Sequence, residues 1–259
     1  MKILKTLELK VKDGVAWLYF NRPLAMNTYN FEMSQELPEC IESIAENKDI
    51  KILVLSGANN IFMAGGDIEL LKQAGQDNQE QTAAAIASLH EVILSLKTMD
   101  KLVIAAVQGA CAGAGISIML AADLAYAEEG TKFNTAYINL GLSPDGGMSY
   151  SLPRIVGYKK ALELILLSEL FFAEEAYKLG LVNKVLTKTE FNDYLNNLTK
   201  KLLNKSGPAS NNIKNLIRST WDSSLEQQLN DEKNCFLSCT KTEEFRLGIE
   251  DFLNKKIKK

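Results

Sequence analysis

The chain has 259 residues, of which 46% are hydrophobic and 24% are charged, and its formal net charge is −3. This composition is typical of a globular protein with one large domain or two modest ones. The slight negative charge argues against a nucleic-acid partner, because such proteins concentrate basic side chains on one face. No apolar run is long enough to cross a bilayer, and the alternating N-terminal segment predicts a strand and no signal peptide.

Cysteine and histidine usage gives no metal-binding pattern. The four cysteines, at positions 40, 111, 235 and 239, form no Cys-x-x-Cys pair, and His90 is the sole histidine. A zinc site is therefore not expected. Without a secretion signal, we expect reduced thiols and a cytoplasmic protein.

The first predicted element is a β-hairpin, because Asp13-Gly14 separates two strand-like segments. Residues 31–47 have helical periodicity, which Pro38 is expected to kink or break. The next predicted elements, in chain order, are a strand at 51–57, a helix at 78–97, a strand at 102–109, an apolar helix at 115–122 and a strand at 124–129.

From Tyr158 onward the periodicity predicts helices only, with three longer ones between Glu190 and the end. Alternating strands and helices followed by helices alone predict an α/β protein with a parallel and mixed sheet. We expect the sheet core in residues 1–200. The helical region, residues 201–259, is expected to serve oligomerisation or to act as a lid, because helices added after a complete sheet must cover something.

Two loops of small residues each follow a predicted strand and lead towards a helix. The first contains Gly65-Gly66, and the second is Gly113-Ala114-Gly115. Glycine and alanine let a ligand approach the main chain, and a helix N-terminus offers unpaired N–H groups. The loops are therefore suited to an oxygen with negative charge. The alternative is that the small residues only let a helix pack closely against a strand.

A dinucleotide-binding fold is a rival interpretation of the second loop. The Gly-x-Gly-x-x-Gly fingerprint needs a third glycine where this chain has Ile118, and no acidic residue follows about 20 positions later at a strand end. A phosphate-binding loop of the Gly-x-x-x-x-Gly-Lys type is also absent from the sequence. Both nucleotide interpretations therefore fit poorly.

Asp145 lies between Pro144 and the pair Gly146-Gly147, with apolar segments on both sides. A Pro-Asp-Gly sequence is common in type I turns, so a plain turn residue is one interpretation. The other is that the turn holds a single carboxylate against an apolar pocket.

Several motifs in one order resemble the crotonase superfamily, the enoyl-CoA hydratases and isomerases. The resemblance covers nearly the whole chain, so it is more specific than either glycine loop. The motifs are FNRP at 20–23 with Asn27, FMAGGDIELL at 62–71, the segments 101–123 and 133–157, AEEAYKLGLVNKV at 173–185, and the segment 252–256.

The resemblance implies a spiral of ββα units followed by a helical C-terminal region that forms homotrimers, often paired into hexamers. It implies an acyl-CoA thioester as substrate, with no permanently bound cofactor. By motif position, the backbone N–H groups of Gly66 and Ala114 would hold the thioester oxygen. The positions expected along the CoA are Ala25, Met26, Ala64, Gly65, Asp67, Ile68, Phe252 and Lys255. The family often has Lys where this chain has Leu24.

The chain departs from the hydratases of this family at two positions. Ser117 and Tyr137 stand where those enzymes have the two glutamates that activate water. Neither side chain is a good base near neutral pH, so simple hydration is not expected. Ser117 keeps a minor candidate role, and Tyr137 is expected to line the acyl pocket, to hydrogen-bond water, or only to pack.

The resemblance is closest to the double-bond isomerases, which include a ring-opening type and carry an acid at the position of Asp145. We therefore expect an acyl-CoA isomerase in which Asp145 moves the proton. A dehalogenase branch has a histidine at the position of His90, but a lone helical histidine is more often packing or surface. An enoyl-CoA hydratase and a non-catalytic acyl-CoA-binding protein are the alternatives.

Overall fold

The computed structural model describes residues 4–74 and 79–257. The strands are β1 (Leu7–Lys12), β2 (Val15–Phe20), β3 (Ile52–Gly57), β4 (Leu102–Val107), β5 (Ala110–Ala112), β6 (Leu124–Glu128), β7 (Lys132–Asn134), β8 (Phe171–Phe172) and β9 (Lys184–Leu186). The helices are α1 (Phe31–Glu46), α2 (Ile68–Ala74), α3 (Gln79–Thr98), α4 (Ala114–Ala121), α5 (Met148–Val156), α6 (Tyr158–Leu167), α7 (Ala173–Lys178), α8 (Phe191–Leu203), α9 (Gly207–Ser219), α10 (Leu225–Cys239) and α11 (Glu243–Ile257).

The predicted hairpin is confirmed. β1 and β2 pair antiparallel from Leu7 opposite Phe20 to Lys12 opposite Val15, which leaves a two-residue loop. Asp13 and Gly14 both have positive φ angles, 50° and 79°. This is the backbone of a type I′ turn, whose twist matches that of the flanking strands.

The strands form two separate sheets. The six-stranded sheet has the order β1-β2-β3-β4-β6-β9, and all its pairs after the hairpin are parallel. The three-stranded sheet has the order β5-β7-β8, and a bridge between Met63 and Cys111 extends its parallel edge. Successive turns of the chain thus add a strand to each sheet, and the α/β prediction is confirmed.

The core lies between one face of the large sheet and the helices α1 and α3. Residues two apart on a strand share a face, which selects alternate strand positions for the core. The buried residues are Leu18, Leu53, Leu55, Val103 and Ala105 on the strands, Met33, Leu37, Ile41 and Ile44 on α1, and Leu89, Val92 and Leu96 on α3. α1 continues through Pro38 without interruption, so the predicted break does not occur.

The expectation of helices only after residue 158 is wrong in two respects. β8 and β9 lie in that part of the chain, and β9 is an edge strand of the large sheet, parallel to β6. Four helices, α8 to α11, follow residue 190 where three were predicted. Strands of two or three residues are too short to produce a readable alternation of apolar and polar side chains.

The chain divides into two compact units, residues 1–197 and 198–259, and the division falls within α8. In the second unit, the hydroxyls of Ser206 and Ser224 cap the N-termini of α9 and α10 by accepting bonds from Ala209 N and Gln227 N. Asn212 Nδ2 donates to Ser238 Oγ at 3.0 Å and so joins these two helices. Among the described helices of either unit, none combines the length and the apolar character needed to span a membrane.

Candidate active site

The first unit contains a cavity of about 1140 Å³. Both small-residue loops and the Asp145 turn contribute to its wall. Its lining residues include Ala25, Met26, Tyr29, Ala64, Gly65, Gly66, Asp67, Ile68, Leu70, Leu71, Ala85, Ile86, Leu89, Gly113, Ala114, Tyr137, Leu142 and Asp145. This volume is slightly above the usual range for small-molecule pockets, about 300–1,000 Å³.

Tyr29 orients the first loop through its backbone. Tyr29 N donates to Gly65 O at 2.8 Å, and Asp67 N donates to Tyr29 O at 2.9 Å. Gly66 lies between these two bonded residues, Gly65 and Asp67, and forms a parallel bridge with Tyr29. A residue in this position of a parallel bridge directs its own N–H away from the partner segment. The Gly66 N–H therefore has no acceptor among residues 4–74 and 79–257 and is available at the cavity wall.

An ion pair and a helix cap, both made by Asp67, stabilise the first loop. Arg22 Nη1 lies 2.8 Å from Asp67 Oδ2, and both side chains are largely buried. The Asp67 Oδ1 atom accepts a hydrogen bond from Glu69 N at 3.0 Å, which caps the first turn of α2. The Asp67 carboxylate, which is expected along the CoA from the sequence, is thus already bonded to Arg22 and to the backbone of Glu69. Asn27 is buried and ties Arg22 N to the Ala58–Asn60 turn.

The second loop packs directly on the first. Met63 N donates to Ala110 O at 3.0 Å, and Ala112 N donates to Met63 O at 2.9 Å. Gly113 has a φ of 47°, and a Cβ atom added there would lie 3.5 Å from Gly65 Cα. The positive φ is the reason glycine is favoured at this position, since the 3.5 Å distance is an ordinary van der Waals contact. Ala114 is the first residue of α4, where the backbone N–H has no intrahelical acceptor.

Asp145 is held at the cavity by hydrogen bonds from two side chains. The Tyr137 hydroxyl donates a short hydrogen bond to Asp145 Oδ1, and the Ser117 hydroxyl donates to Asp145 O at 2.9 Å. Ser117 is buried on α4, only three residues after Ala114. Both positions at which the chain departs from the family's hydratases therefore bind Asp145.

The glycines after Asp145 are required by geometry. Gly146 and Gly147 have φ angles of 57° and 75° and lead into α5. A Cβ atom on Gly146 would lie 2.7 Å from Ser117 Cβ and 3.3 Å from Leu89 Cδ2. The pair thus lets the turn approach α4 closely enough for Ser117 to bind it.

Gly146→Ala is expected to destabilise the protein by about 1–3 kcal/mol, because the added methyl group overlaps Ser117 in a tightly packed region. Thermal unfolding measures the effect. Gly130→Ala is the matched control, since Gly130 has a similar φ of 74° and open space around it. Equal melting temperatures for the two variants would show that the contact with Ser117 has no energetic consequence.

Both tyrosines near Asp145 remain protonated across the physiological pH range. Burial first, and the Asp145 charge second, raise the pKa of Tyr137 and of Tyr29 well above the ordinary value for tyrosine. The Tyr29 hydroxyl donates to Ala85 O at 3.1 Å. Each phenol therefore serves as a hydrogen-bond donor, and neither supplies a base near neutral pH.

The structure brings most of the predicted site residues to the cavity. Those in its lining are Ala25, Met26, Ala64, Gly65, Gly66, Asp67, Ile68, Ala114, Tyr137 and Asp145. Ser117 lies behind the lining, where it binds Asp145. His90 is exposed and does not line the cavity, so it has no contact that would support chemistry there. Phe252 is exposed in the second unit, and the Lys255 side chain lies outside the described residues.

Sequence reasoning missed Tyr29 and the apolar side chains of α2 and α3 that reach the cavity. Tyr29 acts through its backbone, which no residue type reveals. The lining residues of α2 and α3 carry no distinguishing signal, since a helical stripe of Leu and Ile gives the same pattern in a core and in a pocket wall. The described residues contain no group of three His, Cys, Asp or Glu side chains suited to a metal ion.

Comparison with known proteins identifies the family. The family model for "Enoyl-CoA hydratase/isomerase" matches residues 10–259. The peroxisomal Delta(3,5)-Delta(2,4)-dienoyl-CoA isomerase of Arabidopsis thaliana is 33% identical, over 88% of this chain and 87% of that protein. The 1,2-epoxyphenylacetyl-CoA isomerase of Escherichia coli K12 is 30% identical, over 95% and 94%.

A solved structure agrees with these sequence relatives. The crystal structure of an enoyl-CoA hydratase from Polaromonas sp. JS666 superimposes with a TM-score of 0.91 at 32% identity, and covers 96% of this chain and 97% of that one. The family model spans nearly the whole chain, including both loops and the Asp145 turn. The chain therefore belongs to the enoyl-CoA hydratase/isomerase family.

Proposed function

We propose that the protein is an acyl-CoA isomerase that shifts a double bond, or opens a strained ring, through a thioester enolate. The observation that carries this proposal is the set of groups at one cavity: two main-chain N–H groups, at Gly66 and Ala114, and the single carboxylate of Asp145. Relatives named as isomerases align over most of the chain.

The backbone groups suit the charge that develops during the reaction. Removing a proton from a carbon next to a thioester moves an electron pair onto the thioester oxygen. Preorganised donors at Gly66 and Ala114 stabilise that oxygen more in the transition state than in the ground state. One such donor is typically worth about 3 kcal/mol of barrier.

Asp145 is proposed to carry the proton. Its carboxylate takes a proton from one acyl carbon and, for a 3-enoyl thioester, returns it to the carbon two positions away, so one group serves as base and then as acid. The neighbouring lining is apolar, with Leu70, Leu71, Ile86 and Leu89. This apolar surface suits an acyl chain.

Hydration is the second candidate, because the solved relative from Polaromonas sp. JS666 is described as an enoyl-CoA hydratase. Hydration requires a water molecule that is held and activated. The hydroxyls at positions 117 and 137 both donate to Asp145, and neither is a base that could deprotonate a bound water as a glutamate would. Isomerisation, which needs no added water, fits this arrangement better.

The test is a panel of CoA thioesters with the purified protein. The 3-enoyl, 3,5-dienoyl and ring-epoxide thioesters test isomerisation, and crotonyl-CoA tests hydration through the loss of its enone absorbance. We expect turnover of at least one isomerase substrate and little loss of the crotonyl-CoA signal. Turnover of crotonyl-CoA alone would favour the hydratase, and binding without any turnover would favour a non-catalytic protein.

We also propose that the second unit forms a homotrimer or hexamer. In this unit α9, α10, α11 and the α9–α10 connection expose large apolar side chains: Ile213, Ile217, Trp221, Leu225, Leu229, Phe236, Leu237, Phe245, Leu247, Ile249, Phe252 and Leu253. Exposed apolar patches of this extent commonly mark subunit interfaces. Sedimentation equilibrium tests the proposal, and a monomer at micromolar concentration would contradict it.

A further inference from the structure

We propose that Tyr137 is a positioning residue that fixes which oxygen of Asp145 carries the proton. This inference rests on the proposed isomerase function and deepens it. The Tyr137 hydroxyl binds Asp145 Oδ1, so Oδ2 is the oxygen left for the acyl carbons. Both residues line the same cavity.

The carboxyl group is held from two sides. Tyr137 binds the side chain, and Ser117 binds the Asp145 carbonyl oxygen at 2.9 Å. The two bonds restrict rotation of the carboxyl group about its Cβ–Cγ bond and movement of its backbone. The Tyr137 backbone is itself restrained, because it begins a 3₁₀ turn after Ala136, whose backbone N–H donates to Ser168 Oγ at 3.0 Å.

The Tyr137 contact persists through both halves of the proposed cycle. In the first half, a C–H bond breaks, the proton joins Oδ2, and the electron pair moves to the thioester oxygen. The Oδ1 atom is then the carbonyl oxygen of a neutral acid, which still accepts a hydrogen bond from Tyr137. In the second half, the electron pair on the enolate oxygen re-forms the thioester carbonyl, the double bond shifts, and the carbon two positions away forms a C–H bond with the proton from Oδ2, which leaves Asp145 as a carboxylate again.

The phenol keeps its own proton throughout. Burial, with the charge of Asp145 as a second cause, raises the pKa of Tyr137 above the ordinary tyrosine value, so the group stays a donor. A carboxyl group held in one orientation keeps its protonated oxygen towards the acyl carbons, and we expect this to favour return of the same proton over exchange with water. The hydroxyl thus favours direct transfer of the proton between the two acyl carbons.

The test is Tyr137→Phe, which keeps the ring and removes the hydroxyl. We expect kcat for isomerisation to fall about 10- to 100-fold, the size expected for losing a hydrogen bond to a charged group, with KM changed less than about twofold. In D₂O, the deuterium gained per product molecule should rise. This ratio is counted per turnover, so it does not depend on how much of the variant is folded.

The matched control is Tyr126→Phe, because Tyr126 is buried on β6 and lies outside the cavity lining. It should leave both kcat and the deuterium ratio unchanged. If Tyr137→Phe yields no folded protein, Ser117→Ala loosens Asp145 through its backbone and should also raise the deuterium ratio. A wild-type ratio in the variant assayed would overturn the inference.

The two proposals fail in different ways. A wild-type protein without isomerase turnover on any thioester in the panel removes the proposed function. A wild-type protein that isomerises, with a Tyr137→Phe variant equal to it in kcat and deuterium ratio, removes only the role of Tyr137.

Discussion

Asp145→Asn is expected to lower kcat for isomerisation by about 1,000-fold, within the range of about 10² to 10⁴ that positioned acid–base groups supply. Asparagine keeps an oxygen that can accept the Tyr137 hydrogen bond, and it keeps the backbone contact with Ser117. The fold and the binding of substrate should therefore persist. What is lost is the basicity of the oxygen facing the acyl carbons.

Steady-state kinetics on the isomerase substrate found in the panel measure this change. Asp100→Asn is the control, because Asp100 is exposed and does not line the cavity. It should behave as wild type. An Asp145→Asn variant that isomerises as fast as wild type would show that another group moves the proton.

Removal of the Ala114 N–H is the second large effect expected. Replacing Ala114 by lactic acid turns the amide into an ester and deletes the N–H without adding an atom. Loss of one donor to the enolate oxygen should lower kcat by about 10²- to 10³-fold, which is about 2.7–4 kcal/mol of barrier. The KM should change much less, because the donor acts mainly in the transition state.

The same ester at Ile118, in the middle of α4, is the control. There the deleted N–H belongs to the helix hydrogen bonds and not to the cavity wall. This variant should lose some stability and keep its kcat. If the two esters lowered kcat equally, the loss would reflect damage to the helix, and the proposed role of Ala114 would be contradicted.

Much of the fold was predictable from local sequence. The Asp13-Gly14 turn, the buried strands and the long helix before β4 each carry a strong signal, and the structure has them within a few residues. The strands β5, β7, β8 and β9 are not predicted by the sequence, because two or three residues carry no periodicity. β9 pairs with β6 of the large sheet, whereas β5, β7 and β8 pair within the small sheet, so each depends on a partner strand outside its own short segment.

The identities of the main candidate site residues were predictable from the sequence, but the hydrogen bonds between them were not. The order of the motifs indicated Gly66, Ala114 and Asp145 as site residues, and all three line one cavity. The hydrogen bonds from Ser117 and Tyr137 to Asp145 are not predictable from the sequence. They join residues 28 and 8 positions apart, and they depend on side-chain orientations that the sequence does not show. His90 is exposed, because its position on α3 faces away from the core that Leu89 enters.

The most direct test of the central claim is a crystal structure of the protein with a non-reactive acyl-CoA analogue that keeps the thioester oxygen. The account predicts that this oxygen lies about 2.7–3.1 Å from both the Gly66 and the Ala114 nitrogen atoms, with Asp145 Oδ2 facing the acyl carbons. An oxygen bound by only one of these nitrogen atoms, or an acyl chain beyond the reach of Asp145, would contradict it.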